Sequence, residues 1–342
     1  MTAPASSPPS PAAKSDRPVK RARGPTLRDV ANSAGVSTAT VSFVLNNTKP
    51  VAPETRARVE VALAALDYRI SPSARALRTG RHHAIGLLLP DLANPFFPAL
   101  AQAVTDAAWA RNHALILASS GSDPATEAEA LAALAERADG IIWIPGTDAP
   151  HPLPTGPTVI LDRPSPALAA FDSISADHRA GGALVAAAFR AQGRHRIGLL
   201  AGPAASPSAA ARVEGFLANA TDLTLIWHHE LPFTFALPEA ATAWLADPRL
   251  DGVFAASDVV AIGALRILRS LGRIVPHDVA VIGFDDIPWA ALTEPPLTTI
   301  RQPVAALGAQ AVATLFDRIA HPDHAATQHR LPVTLIERQS TP

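Results

Sequence analysis

The sequence predicts an α/β protein in which a small helix-turn-helix headpiece precedes a larger core of two lobes built on parallel sheets. Three observations predict it. Charge is split along the chain: residues 1–81 hold 13 Lys+Arg against 5 Asp+Glu, whereas residues 82–342 hold 16 against 25, although the whole chain is near neutral at −1. Near the start, "TLRDVANSAGVSTATVSFVLNN" carries caps, a glycine turn and apolar spacing that agree on two short helices. Beyond residue 82, "HAIGLLLP" (83–90) recurs as "HRIGLLAG" (195–202) and "ADGIIWI" (138–144) as "LDGVFAA" (250–256), both displaced by 112 residues. Two matches at one offset imply two similar α/β lobes.

Residues 1–24 are rich in Pro, Ser, Ala and basic side chains, cannot bury enough apolar surface to offset ordering, and read as a disordered tail. The headpiece follows over residues 25–70. Thr26 caps a first helix bearing Leu27, Val30 and Ala31 on one face, Gly35 supplies a left-handed turn, and Ser37 caps a second helix. At about 100° per residue, Val41, Val44 and Leu45 form one buried stripe, while Ala39, Ser42, Phe43 and Asn46 face outward. A third helix opening at Pro53 is expected to contribute Val59, Val61, Leu63 and Leu66 to the same core. Residues 71–82 offer Ser71 as N-cap, Pro72 at the first helical position and Gly80 as a stop, a segment too short to stand alone.

From residue 83 to 342 strands alternate with Ala-rich helices, the pattern of parallel sheets. The first lobe is expected over about 83–163 and 293–322, the second over about 164–292 and 323–342. Two such sheets side by side leave a cleft at the carboxyl ends of their strands, where small ligands bind. Cysteine is absent, so disulfides, thiolate metal sites and Cys nucleophiles are excluded. No apolar run of membrane-spanning length and no secretory leader is evident, and a cytoplasmic protein is the expectation.

These residues resemble the lactose-repressor (LacI/GalR) family of bacterial transcription regulators. The resemblance runs over roughly 26–340 and rests on the headpiece stretch above, "ARALRTGRHHAIGLLLPDLANPFF", "SDVVAIGAL", "VIGFDDIPWAALTEPPLTTIRQP" and "RLPVTLIERQST". It implies a headpiece plus a periplasmic-binding-protein-like core, a homodimer on a near-palindromic operator, and a repressor whose DNA affinity answers to a small effector. The set expected at DNA is then Thr26, Ser37, Thr38, Ala39 and Thr40, with Ser42, Phe43, Asn46 and Lys49. Leu77 matches the hinge-helix leucine that the family wedges into the minor groove. Phe43 stands where the family commonly has Arg, so a thymine methyl or sugar carbons, rather than guanine, are its expected contact; the ring could instead fold back on the headpiece.

The resemblance also implies effector contacts. Asp91, Phe96 and Phe97 fall in the loop after the first strand, and Asp162 and Arg163 end "TVILDR". Ser206, Ser208 and Arg212 lie in the second lobe's loop, joined by Phe233 as an aromatic wall and by Ser257, Asp258, Asp285 and Gln302. Carboxylates and a guanidinium suit vicinal hydroxyls, and Ser206 replaces the basic residue of purine-responsive members, which favours a sugar or sugar derivative over a nucleobase. Other roles remain open at this stage: Arg212 in a structural ion pair, Asp285 or Asp258 as a cap, Phe97 in the core. No cofactor is expected, and His321, His324 and His329 lack good spacing for a metal. An enzyme finds no G-x-S-x-G, Walker A, H-E-x-x-H or G-x-G-x-x-G motif to support it. A transport protein of the solute-binding type would suit the core but not the basic head.

Overall fold

The computed structural model describes residues 25–46, 48–68, 81–146 and 152–342. The expected tail, most of the hinge segment with Leu77, and the side chain of Asn46 lie outside the described residues. The chain divides into two compact units, the headpiece and the core.

In the headpiece, α1 (Leu27–Ala34), α2 (Thr38–Asn46) and α3 (Pro53–Ala65) surround one small core. Thr26 and Asp29 form a reciprocal capping box: the Thr26 hydroxyl accepts from the Asp29 N–H, and the Asp29 carboxylate accepts from the Thr26 N–H at 2.7 Å. Gly35 ends α1 at φ 63°, a conformation that would strain most side chains, and so turns the chain into α2. The Ser37 hydroxyl then accepts the Thr40 N–H at 3.1 Å. Val30, Val41 and Val59 are fully buried. Val61 is not part of this core: it is 70% exposed, and Ala62 takes the inward place. The reason is angular, since two residues along a helix is roughly 200°, which carries Val61 to the face opposite Val59.

The core carries two six-stranded sheets. The first comprises β1 (Ala84–Leu89), β2 (Ala114–Ser119), β3 (Ile141–Trp143), β4 (Thr158–Leu161), β5 (Asp172–Ala176) and β11 (Gln328–Leu331), in the order β11-β5-β4-β3-β1-β2. The second comprises β6 (Arg196–Ala201), β7 (Thr224–Glu230), β8 (Gly252–Ala255), β9 (Ala280–Asp285), β10 (Thr298–Arg301) and β12 (Thr334–Ile336), in the order β12-β10-β9-β8-β6-β7. The internal repeat thus maps β1 onto β6, β3 onto β8 and β4 onto β9, each pair in the same place in its sheet. One difference breaks the symmetry: β11 runs parallel to β5, whereas β12 runs antiparallel to β10.

Helices α4 (Phe96–Trp109) and α5 (Pro124–Ala135) cross over in the first lobe. In the second, α7 (Pro207–Asn219), α8 (Ala241–Leu245) and α9 (Asp258–Ser270) do the same. Two further helices follow changes of lobe: α6 (His178–Ala191) packs on α7, and α10 (Val304–Ala320) packs on α4. The chain therefore changes lobe near residues 177, 302–303 and 332–333, later than the expected 163, 292 and 322. Strand β5 explains the first shift: "DSISA" is fully buried like its neighbours, and it extends the first sheet rather than opening the second. Among the described residues no helix is long and apolar enough to cross a membrane.

Candidate functional site

Between the lobes lies a cavity of about 420 Å³, within the roughly 300–1,000 Å³ usual for small-molecule sites. Loops after β1, β2, β3 and β4 form one wall with Asp91, Asn94, Phe97, Ser122, Gly146 and Arg163. Loops after β6 and β7 form the other with Pro203, Ala205, Ser206, Pro232, Phe233 and Thr234. All follow the carboxyl ends of strands, the edge at which open parallel sheets bind ligands.

Each wall is shaped locally. The Asp91 carboxylate accepts from the N–H groups of Ala93 (2.7 Å) and Asn94 (3.2 Å), and the Asn94 side-chain oxygen accepts from Phe96 N–H (3.1 Å), folding the loop that starts α4. Phe97 then faces the cavity beneath the Arg163 guanidinium, 5.4 Å from its ring centre. Arg163 is buried; it donates to the Pro145 carbonyl at 3.1 Å, and its Nε forms no hydrogen bond among the described residues. Glu127, fully buried on α5, fixes that loop by accepting from Trp143 Nε1 (2.7 Å) and Gly146 N–H (2.8 Å). Opposite, Ser206 caps α7 through the Ala209 N–H at 3.4 Å.

A buried polar network runs between the carboxyl ends of β4 and β9. Arg212 Nη1 lies 3.0 Å from Asp285 Oδ1 and donates to the Ala256 carbonyl at 2.6 Å, with its guanidinium 4.0 Å from the Phe284 ring centre. Asp285 also accepts from Ser257 Oγ (2.9 Å) and Gln302 Nε2 (2.8 Å). Arg212 Nε donates to His178 Nδ1 at 3.3 Å, and His178 Nε2 faces Asp162 Oδ1 at 3.4 Å. Asp162 directly follows β4 and Asp285 ends β9, corresponding places in the two lobes, and both adopt positive φ, 67° and 115°. Non-glycine residues hold such backbone at a cost of about 1–3 kcal/mol. The network therefore joins the end of one sheet to the end of the other through His178, which stands where the chain changes lobe.

The electrostatics separate the carboxyls. Burial pushes Asp162 up, but the hydrogen bond from His178 and the charges of Arg163 and Arg212 outweigh it, so its acidity is strengthened. Asp258 goes the other way: burial and then the adjacent Asp285 carboxylate raise it well above the ordinary range, against hydrogen bonds from Thr299 and Ile287 N–H. Burial raises Asp285 as well, but less, because Arg212 lies within 3.0 Å and Ser257 and Gln302 donate to it, so Asp258 is the weaker acid of the two.

The residues expected at an effector thus fall into four places. Asp91, Phe97, Arg163, Ser206 and Phe233 line the large cavity. Asp162 and Ser208 line a smaller one of about 130 Å³ together with His178. Arg212, Ser257, Asp285 and Gln302 are buried in the network, with Phe233 6.0 Å from the Arg212 guanidinium. Phe96 and Asp258 serve packing instead: Phe96 sits in the core edge-on to Phe97, and Asp258, one residue inside its helix rather than at the cap, ties that helix to Thr299 and to the loop after β9. His178, Asn94, Glu127 and Thr234 escaped the sequence reading; only Asn94, ahead of a proline and a helix, carried a local signal.

On the headpiece, Thr38 and Ala39 of α2 are exposed, and Ser42 and Phe43 are half-buried. Thr26, Ser37 and Thr40 spend polar groups on caps. Exposed Lys49 sets its ammonium 5.0 Å from the Phe43 ring centre.

Residues 26–71 match the family described as bacterial regulatory proteins, lacI family, and residues 186–341 match a periplasmic binding protein-like domain. The chain is 37% identical over 325 residues to the ribose operon repressor of Bacillus subtilis, spanning 92% of this chain and 98% of that one. Its fold superposes with a TM-score of 0.83 on the lac repressor dimer bound to operator and the anti-inducer ONPF, at 28% identity over 93% of this chain and 99% of that chain. A LacI family transcriptional regulator from Enterococcus faecium with bound ribose superposes at 0.65 with 32% identity, over 75% and 98% of the two chains. With its helix-turn-helix head and two-lobed core, this chain belongs to the lacI family of bacterial regulatory proteins and is a DNA-binding transcriptional regulator.

Proposed function

We propose that the protein is a repressor whose operator affinity is set by a sugar, most closely a pentose such as ribose, bound between the lobes. The observation that carries this is the lining of the larger cavity, where Asp91, Asn94, Arg163 and Ser206 stand beside Phe97 and Phe233. A carboxylate on Asp91 and a guanidinium on Arg163 match sugar hydroxyls, and Phe97 and Phe233 offer flat apolar surfaces to the carbon face of a sugar ring. Arg163, whose Nε lies 3.7 Å from Asp162 Oδ2, sets a guanidinium on the cavity wall. The ribose operon repressor and the ribose-bound regulator among its relatives support the same ligand class.

The mechanism is a shift of population. A ligand held by both walls favours one relative orientation of the lobes, and three chain crossings transmit that orientation. In a homodimer acting in the cytoplasm, this resets the spacing of two hinge segments, residues 71–82, each placing Leu77 in the minor groove while α2 reads the major groove. The chain acts by binding alone: the Ser206 and Ser257 hydroxyls are engaged in a cap and an ion-pair network rather than beside a base.

The test is operator affinity by fluorescence anisotropy, on a site chosen from random DNA, with and without ribose, other pentoses, hexoses and disaccharides. A constant-factor change at saturating pentose is expected. An affinity indifferent to the whole panel would remove the sugar effector while leaving DNA binding in place.

A further inference from the structure

A second polar cluster stands apart from the cleft, at the end of α10. His321 and His324 fall one turn apart where the chain leaves that helix, and their rings stack with centroids 4.6 Å apart and planes within 6°. Both direct Nδ1 at one carboxylate: His321 lies 3.0 Å from Asp317 Oδ1 and His324 lies 3.6 Å from Asp317 Oδ2. The candidate ligand atoms all lie within 4.8 Å of one another. Linear spacing hid this, because His324 is brought back by a turn outside the helix, with its N–H donating to the His321 carbonyl at 3.2 Å.

The turn is held in shape. Arg318 donates to the carbonyls of Pro322 (3.0 Å), His324 (2.6 Å) and Ala325 (3.3 Å), while its Nε is anchored 2.8 Å from Asp172 Oδ2 at the start of β5. One guanidinium thus sets the backbone of His324 against the first sheet and engages its own charge elsewhere. Two imidazole nitrogens and a carboxylate on such a support form the donor set of a three-residue site for a borderline divalent ion. A tetrahedral set with Zn–N of about 2.1 Å needs ligands roughly 3.4 Å apart. Half-exposed side chains, 54% for His321 and 60% for His324 and Asp317, have room to close that difference and leave a fourth position to water.

We infer that Asp317, His321 and His324 form a surface site for a divalent transition-metal ion of the zinc type. The ion would clip the end of α10 to the connection that leads into β11 and the last change of lobe. This stands independently of the sugar reading, because none of its residues touches either inter-lobe cavity.

The experiment is zinc titration by calorimetry on the full chain after treatment with chelator. One equivalent per chain is expected, and the variants His321→Ala and His324→Ala should each weaken it by roughly tenfold or more. His329→Ala and His83→Ala, which remove other histidines, should leave it unchanged. Cobalt(II) added to the unmutated chain gives a reading that does not depend on variants folding: the two imidazoles should show the first paramagnetic shifts among the histidine signals. Absence of zinc binding, affinity retained in the His321→Ala/His324→Ala double variant, or cobalt shifts that begin at other histidines would overturn the site.

Discussion

Arg212 on α7 and Asp285 at the end of β9 form an ion pair at 3.0 Å with both side chains 3% exposed, a charge pair withdrawn from water. Such a pair adds little net stability when intact, but removing one partner strands the other, at about 3–5 kcal/mol. Arg212→Leu should therefore lower the free energy of urea unfolding by about 3 kcal/mol, and Arg212→Leu/Asp285→Leu should recover much of it. Both variants should lose any response of operator binding to ribose. Equal stability of the single and double variants would show that the pair is not coupled as the distance implies.

Asp258 offers a pH test. Its folded-state acidity is weakened by burial and by Asp285, so the folded chain holds the proton more tightly than the unfolded chain, where a carboxyl titrates at about 3.9. The contribution is favourable below that value and is lost as pH rises toward the higher folded value. Asp258→Asn, which cannot ionise, should gain stability relative to the unmutated chain as pH rises above about 4. Thermal unfolding across pH 5 to 8 checks the sign; a difference that shrinks with pH would contradict it.

Close helix contact positions Arg212. A Cβ added at Gly182 of α6 would lie 2.1 Å from the Arg212 carbonyl oxygen and 2.5 Å from Phe216 N on α7. Backbone cannot yield as a flexible side chain can, so Gly182→Ala should push the two helices apart and destabilise by about 1–3 kcal/mol. Because the shift moves Arg212 itself, sugar affinity should fall further than in a surface control variant of equal stability. Denaturation and ligand titration on the same samples separate the two effects.

Phe43 and Lys49 make the corresponding prediction for DNA. With an aromatic ring on α2 and a cation above it, the half-site base facing Phe43 should be a thymine read through its methyl group. Phe43→Arg should move selected operators toward guanine at one half-site position, and unchanged selected sequences would rule out a base contact. Lys49→Ala should reduce the salt dependence of binding by about one phosphate contact without changing sequence preference.

The amino-acid sequence by itself determined the parts whose causes are local. The capping box at Thr26 and Asp29, the left-handed Gly35, the apolar stripe of Val41 and Val44, and the repeated strands of two lobes all follow from spacing of a few residues or from self-similarity. The cavity wall of Asp91, Phe97, Arg163, Ser206 and Phe233 was legible only through the family resemblance, which marks these positions by motif where periodicity does not. Tertiary structure decided what depends on pieces meeting. It carried β5 into the first sheet and set Asp258 to packing. It placed His178 between Asp162 and Arg212, 34 residues from the latter, and brought His324 back over His321. No periodicity encodes these, since burial, charge pairing and lobe crossings join segments whose separation along the chain has no relation to their distance in the fold.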